Sequence, residues 1–378
     1  MGDILPKRVG IQQRVLPAYR AAFFDSLARS LRGGLSVFTG APRPGEAIPQ
    51  ADFLKNARWV RAQNRYLGGG ALSALWQGGA GEWIRTEDPQ LLILEANPRY
   101  LSNYGLRREM RRRGRPVIGW SLGPAGAGGL LGGWRSYFYG GFDALLVYSR
   151  NGAEAFRRLG IPAERIFVAP NAVESQTAES LRKRPRAKQA ARSALGLDGR
   201  PAVLFVGRLQ KRKRVDALLE ACSRAGIPCQ LLIVGEGTDR SRLEGIAREI
   251  FPAARFTGDL RGEDLGRCFL AADVFLLPGT GGLALQEAML YGKPVAAAEA
   301  DGSQKDLIRE GENGWLLPMG DDDALRRVLC EALADPRRLE RMGRASLRIV
   351  RETATMEKMI GGFLEAMRFA MRKAAKGN

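Results

Sequence analysis

The stretch "GRLQKRKR", Gly207 to Arg214, places Arg208 and Lys213 just past an apolar run that reads as a strand. Gly207 would let the backbone turn closely past a ligand, and two cations suit a phosphate pair. The same residues would equally serve as a solvated basic loop. "VGEG", Val234 to Gly237, follows a second apolar run, and its Gly235 permits a tight turn. "PGTGGLALQEAMLYGKP", Pro278 to Pro294, sets Gly279, Gly281 and Gly282 between a strand and a helix that begins near Leu283. Backbone N–H groups at such a junction can face an anion. Glu287 lies about one turn into that helix. Its carboxylate can accept two hydroxyl hydrogen bonds, as a ribose diol would offer, or it is an exposed helix residue. "GTGGLA" lacks the complete glycine spacing of a dinucleotide fingerprint, which makes hydride transfer the poorer reading.

The chain has 378 residues and contains no histidine. Imidazole bases, histidine metal sites and every triad that depends on histidine are thereby excluded. Its four cysteines, Cys222, Cys229, Cys268 and Cys330, are too scattered for a disulfide framework or a short metal-ligand motif. The formal charge of +19 points to anionic partners: nucleic acid, phosphorylated substrate or acidic lipid headgroups. No apolar run approaches the roughly 20 residues of a membrane span. The start, "MGDILPKRVGIQQRV", has no apolar segment resembling a secretory signal, so a cytoplasmic protein, peripheral at most on the inner face of the plasma membrane, is expected.

The elements that must hold these loops are strands alternating with helices. Strand-like runs occur at 34–40, 91–96, 116–122, 144–149 and 165–170, and again at 202–207, 229–237, 272–279 and 293–299. This alternation implies two α/β domains with mostly parallel sheets, whose ligands sit beyond the carboxyl ends of the strands. The polar, basic stretch 177–199 suggests the boundary, giving an acceptor domain over 1–185 and a donor domain over 186–350. The remainder, 351–378, spaces Met356, Met359, Ile360, Phe363, Met367 and Met371 as one helical face. It predicts a packed final helix with a basic tail.

With these motifs in order, the second half resembles the family-four retaining glycosyltransferases of bacterial polysaccharide biosynthesis. The likeness runs over about 165–317 through "VAPNAV", "GRLQKRK", "VGEG", "ADVFLLPG", "GLALQEAMLYGKPV" and "EGENGWLLP". It is weaker in the first half, at 12–27, 97–103 and "WSLG" at 120–123. The resemblance implies two facing Rossmann-like domains of the GT-B type, with the last helix packing back toward the first domain. It implies transfer of a sugar from a UDP- or GDP-sugar to a hydroxyl acceptor with retention, without metal or other cofactor. In that scheme Arg208 and Lys213 hold the diphosphate and stabilise the leaving group. Glu287 binds the donor ribose. Gly207, Gly235, Gly279, Gly281, Gly282 and Leu283 form the close backbone around the donor. The family's first glutamate, eight residues before the second, falls on Gly279. Its histidine near the sugar is also missing, and Leu122 stands near that place.

The first domain then carries the acceptor, with Tyr19, Arg20 and Arg99 as contacts for a phosphorylated, lipid-linked or saccharide acceptor, although either arginine would equally serve the structure. "RREMRRRGR" at 107–115 reads as a basic helix that an anionic membrane surface would hold, aided by Trp120, Trp134, Tyr137, Phe138 and Tyr139. Solubility alone is the plainer reading of those charges. A nucleic-acid partner is not expected, because no zinc finger, RNP-like strand or helix-turn-helix signature appears. An inactive scaffold on the same fold is the other alternative.

Overall fold

The computed structural model describes residues 7–46, 48–69, 73–124 and 132–376. They form two units, one of residues 1–170 with 356–378, the other of residues 171–355.

The first unit is built on a seven-stranded sheet. Its strands are β1 (Val9–Gln12), β2 (Leu35–Thr39), β3 (Arg58–Arg61), β6 (Leu91–Glu95), β7 (Val117–Ser121), β8 (Ala144–Val147) and β9 (Ile166–Val168). They lie in the order β3-β2-β1-β6-β7-β8-β9, every neighbouring pair parallel. The remaining two, β4 (Gln63–Leu67) and β5 (Ala74–Gly78), pair antiparallel with each other. β6 is apolar along its length until Glu95 because a central parallel strand is covered on both faces.

The second unit has a six-stranded parallel sheet. Its strands are β10 (Ala202–Val206), β11 (Gln230–Val234), β12 (Ala254–Gly258), β13 (Val274–Leu277), β14 (Val295–Ala298) and β15 (Gly314–Leu317). The order is β12-β11-β10-β13-β14-β15. β10 therefore has β11 on one side and β13 on the other. The direction of winding reverses between β10 and β13, which makes this the switch point where such sheets bind ligands.

Both α/β units carry the strands read from the sequence. β1, β3, β4 and β5 lack a long apolar run, and β12 and β15 lie outside the strand-like runs of the sequence. The basic stretch 177–199 is no bare linker. It contains helices Gln176–Arg182 and Ala187–Ala194, which bury Ala178, Leu181 and Ala191 in the core of the second unit. The units divide at Pro170/Asn171 rather than at 185/186, and the tail joins the first unit from Met356.

That tail is helix Met356–Lys376, which buries Met359, Phe363 and Met367 together with Gly362, Ala366 and Ala370. Phe363 packs on Phe23 and Trp120 at ring-centroid distances of 4.9 and 4.8 Å. Gly362 lets the helix approach β9, since a β-carbon there would sit 2.6 Å from the Val168 carbonyl oxygen.

Candidate functional site

In the second unit, the loops after β10 and β13 meet at the switch point. A 3₁₀ turn, Lys211–Lys213, ends with Lys213 in the core, only 6% exposed. Its Nζ donates to the carbonyls of Thr280 (2.7 Å) and Gly281 (2.9 Å), so one ammonium ties the two loops together. Burial, with Arg212 and Arg208 nearby, pushes this ammonium down to about 8, opposed by Asp301. Arg208 is half-buried, and its guanidinium has no hydrogen bond or ion pair among the described residues. The arrangement holds a desolvated cation and an unpartnered one beside the exposed Gly282 backbone, a receptor for a diphosphate. The loop after β11 closes the floor: Gly207 N–H donates to Val234 O and Leu209 N–H to Glu236 O. Gly235 adopts φ +136°, and a β-carbon on it would lie 2.1 Å from Gly207 O, so only glycine allows these two loops to touch.

Glu287 lies on helix Ala284–Leu290, whose first residue follows Leu283. The carboxylate has no ion pair or hydrogen bond among the described residues, and burial alone pushes it up to about 7. No cation neutralises it. The structure therefore groups Arg208, Lys213, Gly281 and Gly282, and sets Glu287 apart from the cations in its own desolvated place. A half-buried acceptor without a partner suits hydroxyl donors from outside the chain.

The spacing of motifs did not reveal Gln304. It is 1% exposed, its Oε1 accepts from Ala300 N–H, and its Nε2 is buried with no partner. A β-carbon on Gly281 would lie 2.1 Å from that Nε2, so the orphan donor abuts the glycine run. Its only sequence signal is a glutamine in "ADGSQKD", among residues of the same polarity.

At Gly279 the backbone has no room for a side chain. A β-carbon there would lie 2.3 Å from Arg212 O and 2.6 Å from Lys213 C, while Thr280 N–H donates to Arg212 O. The glutamate implied at this position by the family pattern is thus replaced by direct backbone contact with the Lys213 turn. Gly279→Ala is expected to displace that turn, costing roughly 1–3 kcal/mol of stability and weakening diphosphate binding. Gly279→Glu is expected to do no better. A thermal melt of Gly279→Ala that overlays the parent protein would refute this packing.

In the first unit, Tyr19 is exposed and Arg20 is not. The Arg20 guanidinium donates through Nη2 to Tyr148 Oη at 2.9 Å and lies 4.5 Å from the Trp120 ring centre. Its Nη1 and Trp120 Nε1 are buried without partners. Arg99 is exposed, and its backbone N–H is held by Asn97 Oδ1. Leu122 is also exposed, just past β7. A buried polar group at the carboxyl ends of β1 and β6 escaped the sequence reading. Gln12 Oε1 accepts from Glu95 N–H and Asn103 Nδ2, and Glu95 accepts from Arg14 N–H and Tyr100 Oη.

The arginine run divides by partner. Helix Ser102–Arg112 carries most of it. Arg107 lies over Phe142 and donates to Phe138 O, Arg113 and Arg115 pair with Asp88, and Arg112 pairs with Glu109. Arg108 and Arg111 remain exposed, beside Tyr104, Trp134 and Tyr137 around a cavity of about 460 Å³. Of the five aromatic residues expected at an interface, Trp120, Phe138 and Tyr139 are core and only Trp134 and Tyr137 are exposed. Among the described residues, no group of three or more acidic or cysteine side chains is placed to hold a metal, and no helix is long and apolar enough to cross a membrane.

Residues 187–348, which carry this switch-point site, match the family described as Glycosyl transferases group 1. That match lies wholly within the second unit. A GDP-mannose-dependent alpha-mannosyltransferase of Mycolicibacterium smegmatis is 37% identical over 170 residues, 44% of each chain. A GDP-mannose-dependent alpha-(1-6)-phosphatidylinositol monomannoside mannosyltransferase of the same organism is 26% identical over 90% of each. The first of these alignments spans less than half the length of the relative it matches. Among solved structures, Anabaena HepE in complex with UDP superposes with a TM-score of 0.74 at 17% identity, covering 96% of this chain and 99% of that one. Sucrose-phosphate synthase from Thermosynechococcus elongatus gives 0.74 at 20% identity over 97% and 100%. The fold is GT-B, two Rossmann-like domains.

Proposed function

We propose that this chain is a retaining glycosyltransferase that moves a sugar from a UDP- or GDP-sugar to a hydroxyl acceptor. The observation that carries the reading is the buried Lys213 ammonium, fixed to Thr280 O and Gly281 O at the switch point beside the unpartnered Arg208. Arg208 and Lys213 bind the diphosphate and stabilise the charge that develops on it, where electrostatic preorganisation has its largest effect. Glu287 accepts the ribose hydroxyls. Gly207, Gly235, Gly279, Gly281, Gly282 and Leu283 let the backbone lie against the donor, and Gln304 Nε2 offers a hydrogen bond beside them. The bond between the anomeric carbon and the diphosphate oxygen breaks as the acceptor oxygen bonds to the same face. The acceptor's proton passes to the departing phosphate oxygen, so no histidine is required.

The acceptor side belongs to the first unit, with Tyr19, Arg20 and Arg99 as contacts. A lipid-linked or saccharide intermediate of cell-surface glycan synthesis is the acceptor class. The phosphatidylinositol mannoside acceptor named for the 26% identical relative supports it. Arg108, Arg111, Trp134 and Tyr137 would rest on an anionic membrane surface, in keeping with a peripheral cytoplasmic enzyme.

The test is a thermal-shift panel of UDP, GDP, ADP and CMP and their common sugars at fixed salt with a chelator present, followed by turnover with the stabilising donor. One nucleoside diphosphate is expected to raise Tm, by linkage, and to do so without added metal. GDP and GDP-mannose come first, given the donor named for the mannosyltransferase relatives. A folded protein that answers to no nucleotide would overturn the reading in favour of an inactive scaffold.

A further inference from the structure

The second sheet also has an amino end, and cations gather there that the donor loops do not use. Pro201, Asp273 and Pro294 immediately precede or lie one residue before β10, β13 and β14. Two adjoining cavities of about 590 and 880 Å³ open at this edge, both lined by Arg182, Lys188, Arg192 and Lys293. The smaller one adds Arg344, and Asp273 and Glu340 are the acids in its lining.

Asp273 is already occupied. Its carboxylate accepts from Lys188 Nζ at 2.5 Å, Arg192 Nη1 at 3.1 Å and Ala202 N–H at 2.7 Å. Lys293, 8% exposed, donates to Leu270 O at 2.9 Å and Ala272 O at 2.8 Å and has no carboxylate partner. Capping the end of helix Gly262–Ala271 accounts for those two bonds, but not for the cations around the amine. Burial and then Lys188, with Arg192 and Arg182 behind it, push Lys293 down to about 7 against the pull of Asp273. Arg182 is half-buried, repelled by Arg351 and attracted by Glu179, Arg344 is exposed, and neither guanidinium has a hydrogen bond or ion pair among the described residues. The cavity thus holds more positive charge than its acids neutralise, desolvated at Lys293 and in part at Arg182, a state that an entering anion relieves.

We propose that this amino-end cavity is a second anion site that takes a phosphoryl group, carried by a soluble phosphorylated metabolite or by a phospholipid headgroup. Arg182 and Arg344 are its free ligands, and Lys293 supplies charge from below. The site stands independently of the donor reading, because none of its residues belongs to the loops at the carboxyl end.

Equilibrium dialysis of the full chain against labelled pyrophosphate tests it. The parent protein is expected to bind two equivalents. An Arg208→Ala/Lys213→Ala variant retains the amino-end equivalent, and an Arg182→Ala/Arg344→Ala variant loses it, with at least about a tenfold fall in affinity. Co-sedimentation with phosphatidylglycerol vesicles, against phosphatidylcholine alone, separates the sources. Vesicle binding lost in Arg182→Ala/Arg344→Ala assigns a headgroup, and vesicle binding unchanged while pyrophosphate is lost assigns a soluble ligand. If that variant binds pyrophosphate and vesicles as the parent does, the site does not exist.

Discussion

Replacing Lys213 with alanine is expected to weaken nucleoside-diphosphate binding, and kcat/KM for the sugar donor, by roughly 10- to 100-fold. With two of its three N–H groups held by carbonyls, the ammonium has one left for a charge-assisted hydrogen bond to the diphosphate, worth about 1.5–3 kcal/mol net. Its place is fixed in advance by Thr280 O and Gly281 O, so little ordering remains to be done on binding. The proton balance gives a second readout. In the free protein the ammonium titrates near 8 rather than at its ordinary 10.5. Between those values the unfolded chain holds more protons than the folded one, so Lys213 makes stability rise with pH across that window. A bound diphosphate favours the charged form and returns the proton. Nucleotide affinity should therefore fall as pH rises above about 8, with proton uptake visible by calorimetry in buffers of different ionisation enthalpy. In Lys213→Ala both the uptake and the alkaline fall should vanish. If the variant binds within about fivefold of the parent, Lys213 is a structural tie between two loops and not a donor ligand.

Glu287→Gln is expected to produce opposite effects on binding and stability. Losing the carboxylate should weaken nucleotide binding by about 10- to 100-fold, the range of one or two hydrogen bonds to a charged acceptor. The loss should disappear when the ligand is a 2′,3′-dideoxynucleoside diphosphate, because the ribose hydroxyls are the proposed partners. Stability should move the other way. Burial raises the carboxyl from 4.5 to about 7 in the folded chain. A raised carboxyl contributes stability that is complete below its unfolded value and is lost as pH rises through about 7. Above that pH the free protein carries an unpaired, desolvated charge. Glu287→Gln should then melt higher than the parent at pH 8, by about 2–4 °C per kcal/mol relieved, with the gain shrinking toward pH 5. Equal discrimination between ribo and dideoxy ligands in parent and variant would remove Glu287 from the ribose site.

These two residues were legible in the sequence because each stands next to local punctuation. Lys213 follows a glycine that ends an apolar run, and Glu287 follows a glycine run by about one helical turn. What spacing could not show is that their environments differ. Lys213 is held among cations and carbonyls, whereas Glu287 faces no cation. Arg20 illustrates the same gap: nothing in "AYRAAFF" tells that Trp120 and Tyr148, about a hundred residues later or more, enclose its guanidinium. The arginine run misled in the same way. Asp88 and the rings of Phe138 and Phe142 take up members of the run that look alike on paper.

The sequence by itself determined the alternation of buried strands and helices, the glycines at the carboxyl ends of β10, β11 and β13, and the absence of imidazole chemistry. All of these rest on local hydrophobic pattern, backbone freedom or residue identity. Only the tertiary structure decided which charges lose their water. It set Gly279 against the Lys213 turn, left Gln304 Nε2 without a partner, and brought Arg182, Arg192, Lys293 and Arg344 to one cavity from distant parts of the chain. Desolvation depends on every neighbour in space, and a parallel sheet draws those neighbours from strands far apart in sequence.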